Sequence, residues 1–156
     1  MADPRPPSGP GTAPPRDIPG RTVADAMIRA PKVCGPRSTV ADARAVLHND
    51  HVHAVLITDG ADLVAVVERP DLDAGPADLP ARLIGRLHGR VIGPDADLEA
   101  AWRSMTDTRR RRLAVVDDRG RLLGLLCLKR SGLGFCSDTD IRARADERRA
   151  CAPRPA

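Results

Sequence analysis

Apolar and polar positions follow two periodicities along the chain, and the elements that they predict occur twice in the same order. Short runs rich in Val, Leu and Ile, each pair joined by a polar turn with Gly, predict two β-hairpins, at residues 53–67 and 113–128. Apolar residues at helical spacing predict an amphipathic helix ahead of each hairpin, at residues 39–49 and 98–105. The predicted fold class is therefore mixed α/β (α+β).

Local signals mark where several of these elements begin and end. Residues 22–25 and 39–42 are both Thr-Val-Ala-Asp, which has the form of a capping box and predicts a helix start at each place. Pro31 is expected to end the first of these helices, because the residue before a proline disfavours helical geometry. The brief apolar segments 32–34 and 90–92 are predicted as strands, and each is followed by a Gly-Pro turn.

The repeated order of elements is also visible in the sequence register. Residues 32–40 align with residues 90–98 without a gap, and residues 54–67 align with residues 113–126 after one extra residue. An internal repeat of about sixty residues, ordered strand–helix–strand–strand–helix, indicates two copies of one small unit. Because a single copy cannot bury both faces of its sheet, the two copies are expected to pack together.

Changes in composition divide the chain into predicted parts. The ends carry little to bury, and prolines and glycines dominate the N-terminal end. The parts are a disordered N-terminus (1–20), a first repeat (21–75), a second repeat with a C-terminal helix (76–150, the helix at about 137–149), a linker at 73–80 and a disordered tail (151–156).

Composition narrows the class of protein further. The chain has one Trp, one Phe and no Tyr, so its core must be aliphatic. The net charge is +4, but all basic residues except Lys32 and Lys129 are arginines, a bias typical of a GC-rich genome and weak support for a nucleic-acid partner. No apolar segment approaches a membrane span, no leader is visible, and the four cysteines lack a CxxC spacing. A cytoplasmic location with reduced cysteines is expected.

Four segments together resemble the cystathionine-β-synthase (CBS) domain pair, also called the Bateman module. They are Thr-Val-Ala-Asp-Ala-Met at 22–27, Thr-Val-Ala-Asp-Ala at 39–43, Ala-Val-Val-Glu-Arg-Pro-Asp-Leu at 65–72 and Gly-Leu-Leu-Cys-Leu-Lys-Arg-Ser at 124–131. The resemblance implies two tandem CBS repeats, each a small β-α-β-β-α unit, packed as a pseudo-twofold pair with ligand clefts between them. It also implies a homodimer of pairs that binds an adenosyl ligand and regulates another protein.

The resemblance also assigns roles to the segments that close the last strand of each repeat. In the family, a Ser or Thr of this segment contacts phosphate and an Asp three residues later contacts ribose. Asp71 keeps the ribose position, but Glu68 replaces the hydroxyl and is expected to repel phosphate. In the second repeat, Cys127 replaces the hydroxyl and Arg130 replaces the Asp. The first cleft is therefore predicted to favour a nucleoside over a phosphate, and the second is predicted to be basic.

Six residues are predicted to bind the ligand, each with a purely structural alternative. Asp71 is a ribose acceptor or the acidic residue of a helical first turn. The four cations are predicted either to form an anion site near the cleft or to be solvated side chains. His53, which aligns with Arg112, is predicted to lie at the cleft edge. The predicted set is Asp71, Arg69, His53, Arg112, Lys129 and Arg130.

Other conspicuous residues receive structural interpretations. The run of arginines at 109–112 follows a predicted helix, where cations complement the helix C-terminus; binding of a nucleotide phosphate or of a nucleic-acid backbone is the alternative. Trp102 is expected in the core or a dimer interface. His48 and His51 are three residues apart, but no recognised ligand spacing accompanies them, so no metal site is predicted. No catalytic motif is present, and the protein is predicted not to be an enzyme.

The sequence thus predicts a non-catalytic regulatory module that binds an adenosine-containing effector and signals through its dimer geometry. The candidate effectors are AMP, ADP, ATP, NAD and S-adenosylmethionine. The partners are a second copy of the chain and an unknown regulated protein, without a membrane. One alternative is a ligand-free module for protein–protein interaction. Another, less favoured, is nucleic-acid binding through the Arg-rich segments.

Overall fold

The computed structural model describes residues 13–136, which hold three α-helices, five strands and two short 3-10 helices. The predicted helix at 137–149 and the predicted tail lie outside the described residues. In chain order the elements are α1 (Val23–Ala26), α2 (Val40–Leu47), β1 (Val55–Asp59), β2 (Asp62–Val67), the 3-10 helices Arg69–Ala74 and Ala81–Leu83, β3 (Val91–Ile92), α3 (Leu98–Thr108), β4 (Arg112–Val116) and β5 (Leu122–Cys127).

Both predicted hairpins are present, and the sheet around each follows the same plan. Strands β1 and β2 pair antiparallel, as do β4 and β5. In the second repeat β3 pairs in parallel with β4. In the first repeat the equivalent contact is a single parallel bridge from Cys34 to Ile57. The mixed α+β class and the duplicated unit are confirmed.

Capping side chains fix where the helices begin. Thr39 donates its backbone N–H to the Asp42 carboxylate at 2.9 Å, and its hydroxyl accepts from the Asp42 N–H at 3.2 Å. Thr22 donates in the same way to Asp25 at 3.0 Å. The prediction that α1 continues to Pro31 is wrong: the helix ends at Ala26. The helix does not continue because the next residues pair with β5 instead: the Ile28 N–H donates to the Leu125 carbonyl at 2.7 Å.

The N-terminal part of each repeat packs on the core of the other repeat. Ile18 and Val23 lie in the core of the second repeat with Trp102. Ala81 and Ile84 lie in the core of the first repeat. The core thus begins before residue 21, because Ile18 is only 1% exposed. The segment predicted as a linker is also held in place, since the Leu79 carbonyl accepts from the first turn of α2.

A third apolar cluster joins the two repeats. Leu56, Leu63 and Val66 of the first hairpin pack against Ala114 of the second. Gly124 permits the close approach of chains at this junction: a Cβ built on it would lie 2.5 Å from the Ile28 carbonyl oxygen. Within the described residues, no helix has the length and apolar character needed to cross a membrane.

Candidate functional site

A cavity of about 270 Å³ lies where the start of the first hairpin meets the turn between α3 and β4. It is called the arginine pocket below, because five of its nine lining residues are arginines. The lining residues are His53, Glu68, Arg69, Pro70, Thr108, Arg109, Arg110, Arg111 and Arg112.

A sharp reversal of the chain gathers the arginines of the second repeat at this pocket. Helix α3 ends at Thr108, and the capping residue that follows, Arg109, adopts a left-handed conformation with φ of 57°. The next N–H, that of Arg110, donates back to the Met105 carbonyl at 2.9 Å. The chain then enters β4 directly, so that four consecutive arginines pass along one wall of the pocket.

Carbonyl groups hold the guanidinium groups in position without cancelling their charge. Arg69 donates to the Leu47 and Asn49 carbonyls at the end of α2, at 2.6 and 3.0 Å. Arg111 donates to the Leu128 carbonyl at 3.2 Å, and its Nη1 lies 3.1 Å from His53 Nε2. Because a carbonyl is neutral overall, these contacts fix the geometry and leave a strong positive potential.

His53 is the clearest sign of that potential. Burial is the largest cause that lowers the pKa of His53, and together with the charges of Arg112, Arg111, Arg69 and Arg130 it brings that pKa to about 4. The imidazole is therefore neutral at pH 7 and accepts through Nε2 from Arg111. An anion bound beside His53 would raise its pKa and favour the protonated imidazole.

The negative charge of Glu68 is compensated by neighbouring cations. Its carboxylate forms an ion pair with Arg110 and lies 3.4 Å from a guanidinium nitrogen of Arg90. Arg90 also pairs with Asp71, so the two cations balance the two carboxylates, and Glu68 carries no uncompensated charge into the pocket. The expected poor tolerance of phosphate rested on an uncompensated Glu68, which the structure does not show.

Asp71 has a structural role that the sequence did not reveal. Its carboxylate is buried and accepts from Arg90 at 2.5 and 3.2 Å and from the Glu68 N–H at 2.8 Å. Burial alone would raise the pKa of Asp71, but the hydrogen bonds from Arg90 and Glu68 and the Arg90 charge hold it below its usual value. Asp71 does not line the pocket. Its role as a ribose acceptor stays a prediction.

Two of the three predicted residues of the second repeat also lie apart from the pocket lining. Lys129 and Arg130 are exposed just after β5. Arg130 is still near enough to lower the pKa of His53. Cys127, at the hydroxyl position of the family, is fully buried with its sulfur 2.6 Å from that of Cys136.

The structure thus brings together three of the six predicted site residues: His53, Arg69 and Arg112. It adds Arg110 and Arg111, whose run was visible in the sequence but was interpreted as a complement to the helix end. It also adds Arg90 as the partner of Asp71. The two residues are 19 positions apart, so no local sequence pattern indicates their pairing. The expected burial of Trp102 is confirmed, and its Nε1–H donates to the Gly132 carbonyl at 2.7 Å.

A second cavity, of about 580 Å³, lies on the first repeat. Arg37 and Arg82 face it, but so do Asp59 and Asp78, so it lacks the excess of cations that marks the arginine pocket. Across residues 13–136 no group of three His, Cys, Asp or Glu side chains is placed to hold a metal ion.

The CBS domain family model matches residues 23–74 and 90–130, one match for each repeat. The chain belongs to the CBS domain family. Its two matches cover the hairpins, the helices ahead of them and all nine lining residues of the arginine pocket. No curated protein matches the sequence.

Solved structures agree with this assignment. The structure of CBSX2 in complex with AMP is 27% identical, with a TM-score of 0.59, over 82% of this chain and 98% of that one. The cytosolic domain of the Mg²⁺ channel MgtE in complex with ATP is 22% identical, with a TM-score of 0.53, over 66% of this chain and 44% of that one. A CBS domain protein of unknown function from Thermoplasma acidophilum is 22% identical, with a TM-score of 0.55, over 80% and 76%.

Proposed function

We propose that this CBS pair is a non-catalytic regulatory module that binds an adenine nucleotide, with the phosphate groups held in the arginine pocket. The observation that carries the proposal is the excess of cations there: five arginines and one carboxylate line the cavity. Guanidinium groups bind phosphate through paired hydrogen bonds, and a partly buried site screens that attraction less than water does. An anionic ligand would therefore relieve the repulsion among the arginines.

The size and charge of the pocket favour some effectors over others. A volume of about 270 Å³ is close to the lower limit of ordinary ligand pockets, which favours a mononucleotide over NAD. S-adenosylmethionine carries a positive sulfonium, which the arginines would repel. The likeness to CBSX2 in complex with AMP supports a nucleotide with an adenine base.

The proposed output is a shift between dimer geometries. A ligand changes an equilibrium only by its difference in affinity for the two states. A nucleotide that bridges Arg69 of the first repeat and Arg112 of the second would favour one angle between the repeats, and a second copy and a regulated protein would respond to that angle. We expect this to take place in the cytoplasm.

Thermal melts of the full chain with AMP, ADP, ATP, NAD and S-adenosylmethionine test the proposal. We expect the stabilisation to increase from AMP to ATP and to be absent with S-adenosylmethionine. A ligand at a hundred times its Kd should stabilise the fold by about 2.7 kcal/mol. If none of the five shifts the melt at millimolar concentration, the ligand-free interaction module is favoured instead.

A matched pair of variants locates the site. Arg69→Gln removes a cation from the pocket wall, and Arg119→Gln removes one from the exposed turn between β4 and β5. The nucleotide shift should fall in Arg69→Gln, measured against the variant's own melt without ligand, and should be unchanged in Arg119→Gln. Equal shifts in both variants would place the ligand outside the arginine pocket.

A further inference from the structure

Two buried cysteines meet at the base of the loop that follows β5. The sulfur atoms of Cys127 and Cys136 lie 2.6 Å apart. Cys127 is 0% exposed and Cys136 is 4% exposed. Neither thiol is needed for the arginine pocket, and the resemblance to the family assigns nothing to Cys136.

The backbone brings the two cysteines together. The chain doubles back after β5, so that the Cys136 N–H donates to the Cys127 carbonyl at 2.7 Å and Leu128 forms an antiparallel bridge with Phe135. Neighbouring arms of an antiparallel pair hold their Cα atoms about 4.5–5.5 Å apart. That is the range that a disulfide spans without backbone movement.

We propose that Cys127 and Cys136 form a dithiol–disulfide redox site that is oxidised by a small disulfide of the glutathione class. The Cys136 thiolate attacks one sulfur of the small disulfide, so that its S–S bond breaks and one small thiol leaves. The Cys127 thiolate then attacks the Cys136 sulfur and releases the second small thiol. Two electrons and two protons pass from the cysteine pair to the small disulfide, which becomes two thiols.

The surroundings of the pair determine which sulfur reacts first. The neighbouring Cys136 thiol and burial raise the pKa of Cys127 above its usual value. Cys127 is therefore a poor attacking group until Cys136 has been converted to a mixed disulfide. Access requires the loop to open, and its tip is the exposed part, with Leu133 63% exposed. Oxidation should therefore be slow compared with that of an exposed thiol.

The only tryptophan of the chain reports on this loop. Trp102 donates to the Gly132 carbonyl, which lies within the loop that a Cys127–Cys136 bond would close. The same loop begins with Lys129 and Arg130. Oxidation should thus change the emission of Trp102 and fix the position of two cations beside the cleft.

Peptide mapping of the full chain, equilibrated in buffers of oxidised and reduced glutathione, tests the proposal. After acid quenching, alkylation and digestion, mass spectrometry should find residues 127 and 136 cross-linked in a fraction that follows the glutathione ratio. The oxidised form should melt roughly 5–10 °C higher than the reduced form, because closing a loop of this length restricts the unfolded chain.

Variants separate this pair from the other cysteines. The structure holds Cys34 in a disulfide, contrary to the expected reduced state, so the comparison is made in a Cys34→Ala background. There the redox-dependent changes in melting and in Trp102 emission should persist, and adding Cys136→Ala should remove both. If Cys136→Ala does not fold, the peptide map of the unmodified chain still decides. Recovery of both cysteines in alkylated form at every glutathione ratio, or their cross-linking only to other cysteines, would overturn the proposal.

Discussion

The two repeats close their last strands with segments that occupy equivalent places and carry opposite charges. In the first repeat, Asp71 forms a buried ion pair with Arg90, which belongs to the second repeat. When the repeats are aligned, Arg130 takes the place of Asp71 and Lys32 takes the place of Arg90. The second pair of positions therefore holds two exposed cations in place of a buried ion pair.

The two repeats therefore share their backbone arrangement but not the pairing of opposite charges at these positions. A buried ion pair joins the two repeats at Asp71. The equivalent contact between the repeats at Arg130 has no such ion pair. His53 and Arg112, which also align with each other, both line the arginine pocket. The proposed anion site thus lies where two equivalent positions meet, rather than being divided between two equal clefts.

The largest expected effect comes from breaking the buried ion pair from its cationic side. Arg90→Met leaves the Asp71 carboxylate buried without a cation, since both residues are 6% exposed. Removing one partner of a buried pair costs about 3–5 kcal/mol of unfolding free energy. Urea denaturation followed by circular dichroism measures this loss. The equivalent change in the first repeat, Lys32→Met, should alter stability by about 0.5 kcal/mol or less.

A double variant separates the uncompensated charge from the loss of packing. Asp71→Asn removes the charge and keeps an oxygen for the Glu68 N–H, so Asp71→Asn/Arg90→Met should be more stable than Arg90→Met alone. If the unfolding free energy of Arg90→Met lies within about 1 kcal/mol of that of the unmodified protein, the Arg90–Asp71 pair behaves as a surface ion pair. The contrast between the Asp71 and Arg130 positions then disappears.

Much of the fold could be predicted from local signals. The hairpins, the caps at Thr22 and Thr39 and the repeat register all depend on neighbouring residues, and the structure confirms them. The early end of α1 could not be predicted, because it depends on the pairing of Ile28 with a strand almost a hundred residues away. Local propensity gives way here to tertiary pairing.

The site was less predictable, for the same physical reason. Family positions directed attention to Asp71 and Cys127, but the structure turns both inward, toward Arg90 and Cys136. Which cation pairs with which carboxylate is decided by the packing of the two repeats, and no spacing in the sequence records it. The run of arginines was visible, but its approach to Arg69 depends on the left-handed turn at Arg109.

A smaller effect distinguishes His53 from its equivalent, Arg112. The pKa of His53 is about 4 in the folded protein, below its value in an unfolded chain, so the unfolded state binds more protons between these values. The stability that neutral His53 provides is complete above about pH 6.5 and is lost as the pH falls toward 4. Allowing for solvent screening, the loss is roughly 1–2 kcal/mol.

His53→Gln should remove this part of the pH dependence, because glutamine accepts from Arg111 without titrating. Urea midpoints between pH 4 and pH 7 measure it, with the exposed His48→Gln as the control. A pH profile of His53→Gln that runs parallel to that of the unmodified protein would contradict the assignment of a depressed pKa to His53.

The smallest effect comes from restoring the missing charge relation in the second repeat. Arg130→Asp places a carboxylate at the position equivalent to Asp71, opposite Lys32 at the position equivalent to Arg90. Since both positions are exposed, the new pair should add only about 0.5 kcal/mol over Arg130→Asn, and 1 M salt should abolish the gain. Equal urea midpoints for the two variants at low salt would mean that the backbone repeat does not bring positions 32 and 130 together. Both variants also remove a cation near His53, so the pKa of His53, followed by NMR, should rise in each, and by more with the carboxylate.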